Sequence, residues 1–254
     1  MLLALDVGNT QTVVGLYAGE DLREHWRTTT VRTHTGDELA LMLVGLLALR
    51  GHTLAAIDAM VVASSVPQLA VEYATMSREH LGGEALVVGP GVRTGVALRV
   101  DNPLEVGPDR VANSVAAHSL FGGPCIAVDF GTAINFDVVS TAGDFIGGAI
   151  APGLQVALDA LGDRAARLQK VELVAPAHAI GTNTNTNVQS GAVFGWAGLV
   201  DGLVRRFRSE LGSDATTVAT GGLAPLVAPH CDTIEHVEPW LTLMGLRLIW
   251  ERNV

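Results

Sequence analysis

The sequence predicts an α/β protein built of two duplicated βββαβαβ lobes that face each other across a cleft. Three observations carry this prediction. An apolar strand ending in D-x-G occurs twice: Asp129 lies 123 residues after Asp6 (129 − 6) and Gly131 the same distance after Gly8, with Ala127 and Thr132 matching Ala4 and Asn9 in kind. Each copy runs on into the short-turn spacing of a three-strand meander. The composition, 48% hydrophobic and 5% aromatic over 254 residues, supplies Ala, Val, Leu and Ile for buried strands covered by helices, in a chain long enough for two lobes.

The first copy opens with strands Leu2–Val7, Thr12–Tyr17 and Leu22–Arg27. A helix starts near Thr35, where T-G-D-E offers a capping box between Thr35 and Glu38. Residues 59–65 read as a strand, 67–83 as a helix opened by Pro67 and closed by glycines, and 84–90 as another strand. A helix over 109–120 closes the lobe, and F-G-G-P, residues 121–124, marks the boundary, giving lobes 1–121 and 122–254. In the second copy residues 125–139 repeat the opening and 144–153 complete the meander. Helices near 153–161 and 188–211, a strand at 216–220, a short helix, a strand at 233–237 and a helix over 239–253 follow.

Net charge is −10, and of sixteen basic residues only Lys170 is a lysine, which argues against a nucleic-acid footprint. The longest apolar run, residues 39–49, is too short to span a bilayer, and Asp6 interrupts the N-terminal apolar stretch with no basic segment before it. A cytoplasmic protein that binds neither nucleic acid nor membrane is expected. Cys125 and Cys231 are too few for a disulfide framework. H-C-D-T-I-E-H, residues 230–236, lacks a paired metal-ligand spacing, so strand-end polarity explains it better.

A carboxylate at the end of a buried strand needs a reason. In each D-x-G turn the glycine lets the backbone approach a ligand, the turn N–H groups can point at phosphate oxygens, and the aspartate can hold a hydrated cation beside a polyphosphate. The plainer reading, that Asp6 and Asp129 cap their own turns, weakens when the turn occurs twice in a duplicated context. A Walker A loop is excluded, because Lys170 sits between Gln169 and Val171, and no G-x-G-x-x-G follows a strand. Glycines 191, 195, 198 and 202 recur at helical spacing. Each costs about 1 kcal/mol in a helix interior, so a close approach is expected, within the lobe first and between subunits otherwise.

The arrangement resembles the acetate and sugar kinase/Hsp70/actin superfamily, whose lobes are ribonuclease H-like. D-V-G-N-T at 6–10, G-P-D-R at 107–110, D-F-G-T-A at 129–133, G-G-A-I-A-P-G at 147–153, N-T…Q-S-G from 183 to 191, T-G-G-L-A at 220–224 and the C-terminal L-T-L-M-G-L-R-L-I-W-E-R-N look, in order and over nearly the whole chain, like type III pantothenate kinase. The resemblance implies ATP-dependent phosphorylation of the 4′-hydroxyl of pantothenate, the entry step to coenzyme A, by a homodimer using Mg2+ and a monovalent cation, potassium or ammonium. It implies that Asp6, Val7, Gly8, Asn9, Thr10, Gln11, Thr12 and Val13 form the first phosphate motif and that Thr132 contacts ATP. Asp129 is then the monovalent-cation ligand. Gly107, Pro108, Asp109 and Arg110 form the pantothenate motif, with Asp109 as proton acceptor and Thr184 as a further substrate contact.

The chemistry agrees with these roles. An unactivated alcohol needs a carboxylate in hydrogen-bond reach, worth roughly 10²–10⁴ in rate, and an arginine can pair with a carboxylate such as pantothenate's. G-P-D-R also reads simply as a helix start with an acid in its first turn. Ile134 and Asn135 stand where the family has threonines, Thr182 where a basic residue is common, Met244 where glutamate is common and Val100 where many members have tyrosine. These departures motivate a second reading, a non-catalytic paralogue that binds nucleotide or pantothenate and acts through a partner. A kinase for another small alcohol is the alternative within the same class.

Overall fold

The computed structural model describes residues 1–164 and 171–254, so Lys170 lies outside the described residues. The chain packs as two units. One comprises Met1–Ala97, Asp101–Ala116 and Leu241–Val254, the other Leu98–Val100 and Ala117–Trp240.

The first unit holds a five-stranded sheet in the order β3-β2-β1-β4-β5, with β1 Leu2–Val7, β2 Gln11–Ala18, β3 Asp21–Thr29, β4 Ala59–Ser64 and β5 Leu86–Val87. The meander β1–β3 is antiparallel, and β4 and β5 add in parallel. Alternation along β1 sends Leu3, Leu5 and Val7 into one core with Val14, Leu16 and Trp26. Helices α1 (Gly36–Ala48) and α2 (Pro67–Met76) cover that face through Leu39, Leu43, Leu47, Leu69, Tyr73 and Met76. The expected capping box opens α1: the Thr35 hydroxyl accepts from the Glu38 amide at 3.4 Å, and the Glu38 carboxylate accepts from the Thr35 amide at 2.9 Å.

The opposite face of β1, carrying Leu2, Ala4 and Asp6, receives α7 (Leu241–Glu251), which packs on β1, β2 and β4. Gly15, beside Ala4, leaves room for the Leu243 side chain. Gly245 lies against the backbone of α3 (Pro108–Phe121), where a Cβ would meet the Ala112 carbonyl, and Thr242 donates to Asn113 Oδ1 at 2.8 Å.

The second unit repeats the plan in the order β10-β9-β6-β7-β8, with β6 Cys125–Phe130, β7 Ala133–Val139, β8 Phe145–Pro152, β9 Thr216–Thr220 and β10 His236–Val237. Its core joins Ile126, Val128, Phe130, Ile134, Phe136 and Val138 to Val200 and Val204 of α5 (Thr184–Leu211). Helices α4 (Leu154–Arg164) and α6 (Ala224–Val227) complete it. The duplicated α/β plan predicted from the sequence is therefore the observed one, strand for strand.

Several boundaries differ from expectation. Helix α5 starts at Thr184, four residues before Val188, because Asn183 caps it through the Thr186 amide. The expected strand 233–237 shrinks to two residues, since Asp201 on α5 accepts hydrogen bonds from the Asp232 amide (3.0 Å), the Thr233 amide (2.9 Å) and the Thr233 hydroxyl (2.7 Å). Burial acts to raise the Asp201 pKa, but these bonds and nearby Arg205 outweigh it and hold the group below the usual carboxylate range. Among the described residues no close packing against the α5 glycines is found. A Cβ on Gly191, Gly195, Gly198 or Gly202 would meet nothing described within 4 Å.

Candidate active site

In the first hairpin Asp6 pairs with Val13 and Val7 with Thr12, leaving the four residues Gly8–Gln11 as the turn. The Gly8 amide donates to the Gln11 carbonyl at 3.0 Å, and a Cβ on Gly8 would stand 2.9 Å from that oxygen. Glycine is needed here for proximity. Asn9, Thr10 and Gln11 are exposed and Asp6 is half-buried. Three contacts from two neighbours fix the turn from behind: the Ser65 amide donates to the Val7 carbonyl at 2.9 Å, the Thr30 amide to the Thr10 carbonyl at 2.9 Å, and the hydroxyls of Thr12 and Thr30 meet at 2.9 Å. Buried Tyr73 hydrogen-bonds Thr12, and desolvation raises its pKa, so the phenol stays protonated. Arg32, exposed in the turn after β3, donates to Asn9 Oδ1 at 2.9 Å.

The second hairpin is one residue shorter. Asp129 pairs with Asn135 and Phe130 with Ile134, and the turn is Gly131–Ala133, closed by Gly131 N–H to Ala133 O at 3.0 Å. Two glycines press on it. The Gly153 amide, one residue before α4, donates to the Thr132 carbonyl at 3.1 Å, and a Cβ there would lie 2.7 Å from the Gly131 oxygen. Gly221 has φ +92°, and its Cβ would meet the Asp129 carboxylate and lie 2.7 Å from the Phe130 amide nitrogen. In the second unit Asp129, Thr132, Gly153 and Gly221 thus converge.

At the start of α3, Pro108 takes the first helical position after Gly107, where a missing N–H is harmless. The half-buried Asp109 folds its carboxylate back over Gly107, where a Cβ would collide with Oδ1. Burial raises the Asp109 pKa, opposed by hydrogen bonds from the amides of Arg110 and of Asp109 itself and by the Arg110 charge. The result is a carboxylate more basic than usual in a helix's first turn. Arg110 is half-buried, and its carbonyl accepts from the Ser114 hydroxyl at 2.8 Å. In the first unit Asp6 and the α3–α7 pair share one side of the sheet.

Thr184 is the exposed first residue of α5 in the second unit, behind Thr182 and Asn183, whose amides donate to Thr186 Oγ1 at 3.1 and 3.2 Å. Of the departures from the family pattern, Ile134 is fully buried in the core and Asn135 keeps a polar group opposite Asp129. Met244 and Val100 are half-buried, and Thr182 is exposed. Sequence reasoning quoted the segments holding Gly153 and Gly221 without assigning them a role, and it missed Arg32, which no spacing signals. Among the described residues 230–236 form no metal-binding cluster, and no helix is long and apolar enough to cross a membrane.

Within each unit the chemistry suits a metal–phosphate complex: a strand-end carboxylate, Asp6 in the first and Asp129 in the second, offers hard oxygen atoms beside a tight glycine turn. A family model described as type III pantothenate kinase matches residues 2–206. A type III pantothenate kinase of Streptomyces avermitilis is 50% identical over 262 residues, covering 100% of this chain and 99% of the relative. One of Moorella thermoacetica is 49% identical over 253 residues and covers both chains completely. Among solved structures, a conserved Baf family protein from Campylobacter jejuni shares the fold, with a TM-score of 0.63 at 17% identity over 99% of this chain and 98% of that one.

Proposed function

The chain belongs to the type III pantothenate kinase family, and from that premise we propose how its residues divide the work. It is an enzyme, a kinase that phosphorylates pantothenate in coenzyme A biosynthesis. Its activity depends on ATP with a divalent metal. The observation that carries this conclusion is the half-identity to named pantothenate kinases over the full chain.

Asp109 accepts the proton of the pantothenate 4′-hydroxyl as that oxygen attacks the γ-phosphate. Its pKa, raised by burial, supports the role, because a carboxylate lifted above its ordinary range is a stronger base. Arg110 pairs with the pantothenate carboxylate, with Gly107, Pro108 and Thr184 as further substrate contacts. The turn within Asp6–Val13 holds the ATP phosphates, and Thr132 is a second nucleotide contact. Mg2+, held through Asp6, would neutralise phosphate charge when bound. A monovalent cation, potassium or ammonium, is assigned to Asp129, supported by the crowding of Gly221 against that carboxylate.

A homodimer is proposed from the open face of α5, where four glycines leave space that a second copy can fill. The boundary 1–121/122–254 is proposed as the seam of the duplication, each side holding one complete sheet, although α7 packs with the first unit. A cytoplasmic location fits a substrate of central metabolism. The non-catalytic reading loses support because relatives about half-identical over the full chain are named as pantothenate kinases. Coupled ADP release with pantothenate, Mg2+ and K+ tests the whole assignment: pantothenate-dependent turnover is expected, and none above the blank without pantothenate would overturn it.

A further inference from the structure

We propose that Arg32 binds the nucleotide's phosphates, supplying the positive charge that the Asp6–Val13 hairpin does not contain. The proposal rests on the reading of that hairpin as the phosphate motif. Neither Asp6–Val13 nor Asp129–Ala133 includes a basic residue, and both include a carboxylate. A polyphosphate seated on such turns needs charge compensation beyond backbone N–H groups and one divalent ion.

The fold delivers Arg32 to that place by its backbone. The β2–β3 ladder runs to Gln11 opposite Thr29, and the next bond, Thr30 N–H to Thr10 O at 2.9 Å, extends it to the hairpin tip. The Thr12–Thr30 hydroxyl contact at 2.9 Å, with Tyr73 bonded to Thr12, anchors the same segment to the core. Three residues past Arg32, the Thr35 capping box fixes the chain again. Held on both sides, the exposed Arg32 reaches back and donates one N–H to Asn9 Oδ1 at 2.9 Å. A guanidinium has five N–H donors in a planar fork, so the bond to Asn9 aims the group and leaves others for phosphate oxygens at the turn.

The test measures binding of Mg-ATP and of AMP by calorimetry without pantothenate, then initial rates, for the wild type, Arg32→Gln, Arg32→Lys, Asn9→Ala and the Arg32→Gln/Asn9→Ala double variant. Arg32→Gln should weaken ATP about 10- to 100-fold, the range for losing one charged hydrogen bond, with a smaller effect on AMP and none on the KM for pantothenate. Arg32→Lys should recover part of the loss, since the charge returns without the fork. The loss should persist in the Asn9→Ala background. If it vanishes there, Arg32 only props Asn9 and the proposal is overturned. Unchanged ATP affinity in Arg32→Gln overturns the proposal alone, whereas a wild type that binds no ATP overturns the phosphate-motif reading with it. Equal thermal midpoints identify a folded variant, as expected for an exposed turn residue.

Discussion

Strands β1 and β6 have the same burial at every position, four buried residues, a half-buried aspartate and a buried sixth residue, yet the turns that follow differ by one residue. That residue shifts the pairing, so Asp6 faces Val13 whereas Asp129 faces Asn135. The exit of the fourth strand, β4 in one unit and β9 in the other, differs as well. Behind the first turn the chain offers Ser64 and Ser65, which carry side chains. Behind the second it offers Gly221, with backbone pressed against the carboxylate. The closing helices diverge too: α3 carries Asp109 in its first turn, and α7 has no acid there. The duplicated parts build the cores and place the strand-end aspartates, whereas the turns, the strand exits and the closing helices are unmatched.

The largest effect belongs to Asp109, the acid that only one closing helix possesses. Asp109→Asn keeps size and hydrogen-bond acceptance but not basicity, so kcat should fall about 10²-fold or more with ATP binding intact. The wild-type rate should rise with pH through the raised Asp109 pKa, because the ionised form is the base. Stability should run the other way. A carboxylate with a raised folded pKa contributes stability present below its unfolded pKa and lost as pH rises through the folded one. At neutral pH Asp109→Asn should therefore melt no lower than the wild type. Rate profiles and thermal melts across pH check both signs, and a variant that loses ATP binding but keeps pantothenate would place Asp109 in the wrong role.

Next in size is the contrast between the two strand-end aspartates. If the roomier first turn holds Mg-ATP and the crowded second one a monovalent ion, Asp6→Asn should raise the KM for ATP and lower kcat together, each by about 10-fold. Asp129→Asn should instead abolish the rate difference between potassium and sodium or Tris, at a smaller cost in ATP affinity. Steady-state kinetics in each salt separates the two. The exchange of phenotypes between the aspartates would reverse the assignment.

How legible these differences were depends on what encodes them. The strands, the offset and the capping box of α1 were readable because they rest on period, residue type and fixed local spacing. The start of α5 was not, since N-T-N-T-N carries no apolar period and the cap depends on Asn183 and Thr186 finding each other. The short β10 was hidden because Asp201, 32 residues from Thr233, takes the backbone bonds a longer strand would use. Arg32 was invisible for a similar reason: its partner Asn9 lies across the ladder at a sequence distance of 23 residues. The α5 glycines suggested packing, but periodicity fixes a face without saying what covers it.

The smallest effect separates the two glycines that shape the turns. Gly8 needs only proximity: an alanine Cβ would stand 2.9 Å from the Gln11 oxygen, so the turn must open slightly, at about 1 kcal/mol. Gly221 carries two constraints at once. Its φ of +92° is strained for any L side chain, and a Cβ would stand 2.7 Å from the Phe130 amide nitrogen while meeting the Asp129 carboxylate. Strain and crowding together should cost Gly221→Ala about 3 kcal/mol in chemical denaturation, against about 1 for Gly8→Ala. The functional consequences should divide along the same line. Gly8→Ala moves the phosphate turn and should raise the KM for ATP, whereas Gly221→Ala displaces Asp129 and should blunt potassium activation before ATP affinity changes. If both variants lost stability equally and neither altered the salt response, the crowding behind the second hairpin would be a packing feature of the β9–α6 connection, and the monovalent-ion role of Asp129 would lose its structural support.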